Sequence, residues 1–166
     1  MKPGQTSWSF EAEHLQRLDA LLDGFVSGTG ARGLLLVDRN GQLLARSGDD
    51  GGFDGTAFAS LAAADFAASD QLAQLLGEQE FTALYHQGER QSMYLVDVGG
   101  RAILAALFDG QTTLGLVRIR TRTLVPELVN LFEEVIQRAA ATQQPAFFDS
   151  GWLSEAEGEI DRLFAD

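Results

Sequence analysis

The stretch Tyr85–Val96, "YHQGERQSMYLV", gathers His86, Glu89 and Arg90 within five residues, around Gly88. An imidazole can move a proton near neutral pH, and a carboxylate can orient it. A guanidinium can neutralise charge on a transferring phosphoryl group, and an arginine supplied in trans to a GTPase raises its rate by roughly 10³–10⁵. The plainer reading makes the same residues the polar tip of a hairpin, with Arg90 paired to Glu89 or to solvent for little energy. On the residues alone the plainer reading is favoured.

Other candidate motifs reduce to local structure. Gly28-Thr29-Gly30-Ala31-Arg32-Gly33 matches the dinucleotide pattern G-x-G-x-x-G. That pattern works after a strand and before a helix, whose N-terminal amides hold a pyrophosphate. Here it follows a helix and opens a strand, so it reads as a helix stop. No G-x-x-x-x-G-K-[ST] sequence occurs, and no G-x-S-x-G elbow. Asp38-Arg39-Asn40-Gly41 and the acidic group Asp49, Asp50 and Asp54 lack the alternating ligands and distant glutamate of an EF-hand, and turn chemistry accounts for them. The two histidines, His14 and His86, lie on different elements without ligand spacing. Neither a metal nor another cofactor is expected. Arg118, Arg120 and Arg122 form a basic cluster, read as an exposed face on an acidic protein.

Composition narrows the partners. The chain has 166 residues, a formal net charge of −12 and no cysteine. Disulfides, zinc–thiolate sites and thiol nucleophiles are excluded. A surface this acidic repels phosphate backbones and anionic headgroups, so neither nucleic acid nor membrane is an expected partner. No apolar run approaches a membrane span, and the N-terminal "MKPGQTSWSF" lacks an apolar signal core. A cytoplasmic protein is expected.

Behind the hairpin stands a regular series of elements. Leu15, Leu18, Leu21, Leu22 and Phe25 mark one face of a helix over Phe10–Phe25. "RGLLLVDRNGQLLARSG" is two strands around Asn40-Gly41, a strong hairpin signal. A helix follows from about Thr56 to Leu76, with Phe58, Leu61, Phe66, Leu72 and Leu76 as its expected core stripe. Its second face, Ala63, Ala64, Ala67, Ala68 and Gln71, is almost flat. "FTALYHQ", "QSMYLVDVG" and "RAILAALFD" are strands joined by short links, and hence antiparallel neighbours. From Leu114 to Val135 apolar residues recur at helical spacing, interrupted by Pro126. The alternation in "LGLVRIRTR" fits a sixth strand equally well.

Residues 142–151 read as a linker. In 152–166, Ser154 and Glu157 form a capping box, and Leu153, Ala156, Ile160 and Leu163 line a narrow apolar stripe beside Phe164. A helix this short is marginal alone in water. Burial of Ile160, Leu163 and Phe164 would contribute roughly 1.5–3 kcal/mol each, so the segment needs a surface to lie on.

The order helix, two strands, helix, three strands, helix resembles the Roadblock/dynein light-chain family, and within it the bacterial MglB branch. The similarity runs through "LLLVDRNGQLLARSG", "SLAAADFAASDQLAQLLGEQEF", "HQGERQSMYLVDVGGRAILAALFDGQTTLGLVRIR" and the acidic end "EIDRLFAD". It implies an α/β (α+β) Roadblock fold over 8–141, a five-stranded mostly antiparallel sheet, then the linker and the C-terminal amphipathic helix. It also implies one long helix over Thr113–Ala140, kinked near Pro126.

The resemblance further implies a homodimer, with the third strands pairing across a two-fold axis through Phe81, Thr82, Leu84 and His86. The partner it implies is an MglA-like, Ras-like small GTPase, one per dimer. Ala63, Ala64, Ala67, Ala68 and Gln71 would form a shallow platform for it, joined by Ile160, Leu163 and Phe164. The expected function is non-catalytic: stimulating the partner's GTP hydrolysis by positioning its own catalytic residues, without an arginine finger, in cell polarity or motility control. A Roadblock scaffold that assembles or localises proteins without changing any GTPase rate is the alternative. On this resemblance His86 has no catalytic role and lies near the two-fold axis.

Overall fold

A computed structural model of the chain describes residues 8–49 and 51–143. The elements are α1 (Ala12–Thr29), β1 (Gly33–Asp38), β2 (Leu43–Gly48), α2 (Gly55–Leu75), β3 (Ala83–Gln87), β4 (Ser92–Val98), β5 (Ala102–Phe108) and α3 (Leu114–Gln143). Phe10–Phe132 form one compact unit; residues 1–9 and 133–166 form a second, whose described part includes the helical end of α3. The linker 142–151 is described only at its first two residues, and 152–166, with Ile160, Leu163 and Phe164, lies outside the described residues.

Within the first unit the five strands are ordered β2-β1-β5-β4-β3, every neighbouring pair antiparallel. β1 is buried at every position, as a strand covered on both faces must be. Asn40-Gly41 closes the β1–β2 hairpin, with Gly41 at φ 88°. The Asp38 carboxylate accepts from the N–H groups of Asn40 and Gln42 at 2.9 and 2.8 Å, which is the turn chemistry expected of it. Gly30 ends α1 in the left-handed region and donates to the Val26 carbonyl at 3.0 Å. The glycine-rich "GTGARG" is therefore a helix stop.

Three helices cover the sheet. Leu35, Ile103 and Ala105 meet α2 through Ala62 and Phe66. Leu34, Leu36, Leu104 and Ala106 alternate to the other face, where α1 brings Leu18, Leu22 and Phe25 and α3 brings Val117, Leu124, Leu128 and Leu131. Residues 114–122 are helix, so the strand alternative is excluded, and Pro126 is accommodated inside α3.

Two expectations about the helices are corrected. Leu15 is exposed on α1, and His14 takes the buried place instead, its Nδ1 accepting the Glu11 N–H at 3.2 Å. On α2, Phe66 is buried and Phe58 half-buried, but Leu61, Leu72 and Leu76 point outward. The inner face is Gly55, Ala59, Ala62, Phe66, Ser69 and Ala73. Small side chains let the helix backbone lie close to the strands, and a row of leucines there would hold it away.

Candidate partner-binding surface

The hairpin that carries His86, Glu89 and Arg90 is explained by its backbone. The Gly88 N–H donates to the Gln91 carbonyl at 2.9 Å. A Cβ on Gly88 would lie 2.5 Å from that oxygen, so the turn requires glycine. His86 does not turn toward Glu89. Its Nε2 lies 2.7 Å from the Asp65 carboxylate of α2, so the imidazole ties the edge strand to the helix above it. Glu89 and Arg90 are exposed, and no ion pair among the described residues engages either. The three side chains do not converge on a reacting centre.

What the fold does present is the outer face of α2. Asp54 caps the helix, accepting the Thr56 and Ala57 N–H groups at 3.0 and 3.2 Å. From there Ala57, Leu61, Ala64, Ala68, Leu72 and Leu75 follow at three- and four-residue spacing, all exposed. Leu61 is 70% exposed, Leu72 56% and Leu75 82%. Ala64, Ala67, Ala68 and Gln71 lie on this exposed side, whereas Ala63 is half-buried and packs against the Leu35–Phe66 core. The face is thus shallow in its middle and rimmed by leucines. This apolar strip makes the outer face of α2 a candidate interaction surface. Its signal was present in the sequence as a second helical periodicity, which the assumption that large side chains face inward concealed.

Beside it runs the free edge of the sheet. Among the described residues β3 pairs with β4 on one side only, through Ala83↔Val96 to Gln87↔Ser92. Phe81 and Thr82 precede the strand, Leu84 is half-buried against the α2-side core, and His86 is exposed. The four residues expected at a dimer seam therefore lie on or next to an unpaired edge.

A clamp invisible to local pattern reading holds α2 in place. Arg39, in the β1–β2 turn, reaches Asp70 of α2 at 3.2 Å and also bonds Asp97 of β4. Its guanidinium stands 4.9 Å from the centre of the Phe66 ring. Among the described residues no group of three His, Cys, Asp or Glu side chains is arranged to hold a metal ion.

The Roadblock/LC7 domain profile matches residues 17–108, from α1 through β5. The chain belongs to the Roadblock/LC7 domain family. Solved structures place this Roadblock chain beside MglB proteins. Myxococcus xanthus MglB is 40% identical, with 71% of this chain and 96% of that one covered and a TM-score of 0.68. The gliding protein MglB of Thermus thermophilus is 32% identical, covering 79% and 99%, with a TM-score of 0.72. An MglB with a tetrameric arrangement is also 32% identical, covering 80% and 99%, with a TM-score of 0.73. No helix among the described residues of this Roadblock chain is long and apolar enough to cross a membrane.

Proposed function

We propose that this chain is a non-catalytic, homodimeric regulator of a Ras-like small GTPase of MglA type. It binds one GTPase per dimer and accelerates GTP hydrolysis by holding the GTPase's own catalytic residues in their competent arrangement. The observation that carries this reading is the exposed α2 face, where Ala64, Ala67, Ala68 and Gln71 leave room for another backbone and Leu61, Leu72 and Leu75 supply apolar area. The likeness to MglB proteins supports the identity of the partner, and the name of the Thermus relative, a gliding protein, supports a role in motility.

The dimer forms along the β3 edge, through Phe81, Thr82, Leu84 and His86. Pairing there supplies partners for the outer N–H and C=O groups of the strand and brings two α2 helices to one side of a continuous sheet. Ile160, Leu163 and Phe164 add contacts to the bound GTPase, so removal of 146–166 weakens binding. Arg90, exposed on the hairpin tip, has no finger role in this proposal.

Co-elution from a sizing column with mass determination tests the assembly directly. A GTP-loaded MglA-type GTPase should run with this protein at one GTPase per two chains. Separate elution under all nucleotide conditions would overturn the reading.

A further inference from the structure

Arg118, Arg120 and Arg122 open α3 with three positive charges in five residues, in a chain with 24 acidic and 12 basic side chains. All three are exposed, and none is paired with a carboxylate among the described residues. At about 100° per residue, Arg118 and Arg122 share one flank of the outer surface and Arg120 lies on the other. Leu116 and Ile119 stand between them, Ile119 with 62% of its surface in solvent. The Arg120 guanidinium leans to α1, 3.8 Å from the Cβ position of Gly28. Beside it a groove of about 210 Å³ opens between α1 and α3, lined by Ala20, Leu21, Gly24, Arg120, Leu124 and Glu127, among others.

We propose that this α1–α3 face docks an acidic amphipathic segment of a partner protein. Apolar side chains one helical turn apart fill the groove over Gly24 and cover Ile119, while flanking carboxylates reach Arg120 and Arg122. Charge complementarity selects this occupant. The net charge of −12 repels an acidic partner elsewhere, but at physiological salt the field of each charge fades over about 8 Å, so the arginine cluster acts locally. Glu127 at the groove bars a carboxylate from that end and so orients the segment, its acidic side toward Arg120. The face lies across the sheet from α2, so it takes its partner independently of the GTPase reading and does not compete with it.

The test uses the full chain and a fluorescein-labelled synthetic peptide, an amphipathic helix with leucines at four-residue spacing flanked by glutamates. A counterpart carries lysines in place of the glutamates. The acidic peptide should bind at least about tenfold more tightly than the basic one, and more weakly as salt is raised. Arg120→Glu combined with Arg122→Glu should remove that preference. In Gly24→Leu the added side chain enters the groove, because a Cβ there meets nothing within 4 Å. Leucine also favours helix over glycine, so this variant should melt no lower than the parent yet bind the acidic peptide at least about tenfold more weakly. Equal affinity for the two peptides, or undiminished binding by Gly24→Leu, would overturn the proposal.

Discussion

Arg39 and Asp70 meet at 3.2 Å across 31 positions of sequence, joining the β1–β2 turn to α2. The same guanidinium engages Asp97 on β4 and lies over the ring of Phe66. Together with the His86–Asp65 contact, this side chain ties α2 to the sheet. Its role is large because the inner surface of α2 is mostly alanine and serine, and small side chains contribute little burial at about 25 cal/mol per Å².

Arg39→Ala should destabilise the protein by about 1.5–3 kcal/mol, since Asp70 and Asp97 lose their charged donor. Arg39→Lys should recover only part of that, because one ammonium nitrogen lacks the spread of the two guanidinium nitrogens that separately reach Asp70 and Asp97. Urea denaturation of the three proteins measures both values. A loss below about 0.5 kcal/mol for the alanine variant would mean that the Arg39 clamp contributes little to holding α2.

Ala67→Arg places a long cation on the exposed side of α2 without entering the core. Stability should change by less than about 0.5 kcal/mol, while affinity for the GTPase falls at least about tenfold. Calorimetric titration with the GTPase, alongside a thermal melt, separates the two effects. Undiminished affinity would remove this face from the interface.

The contrast between Ala67 and Arg39 also shows what the sequence makes legible. Strand order along the chain, the Asn40-Gly41 hairpin, the "GTGARG" helix stop and the flat alanine surface are local patterns, and each is readable from spacing and turn chemistry. The helical state of 114–122 is not, because "LGLVRIRTR" satisfies both periods and only its packing decides. Leu61 and Leu72 misled for a different reason. Both faces of α2 are apolar, and which one faces inward depends on how close the helix must come to β1 and β5. The partners of Arg39 are 31 and 58 positions away, and no local signal connects them.

Arg90→Ala should leave the stimulated GTPase rate within about twofold of the parent. A finger acting on the transferring phosphoryl group would be worth roughly 10³ or more in single-turnover rate. A loss of several hundredfold with binding intact would restore Arg90 to catalysis.

The β3 edge invites a charge test. Thr82→Lys with His86→Lys places two cations along the edge, and the lysine at 86 keeps a charged partner in Asp65. Edge lysines oppose strand pairing, so light scattering should report a monomer while the circular dichroism spectrum stays folded. A persistent dimer would move the two-fold axis away from β3.

Single-turnover GTP hydrolysis by an MglA-type GTPase reads the proposed regulation without intermediaries. With the full chain in excess, hydrolysis should accelerate at least about tenfold, and Ala67→Arg should abolish the acceleration while Arg90→Ala preserves it. A rate identical with and without the chain, at concentrations where the two proteins are bound, would contradict the account and leave a scaffold in its place.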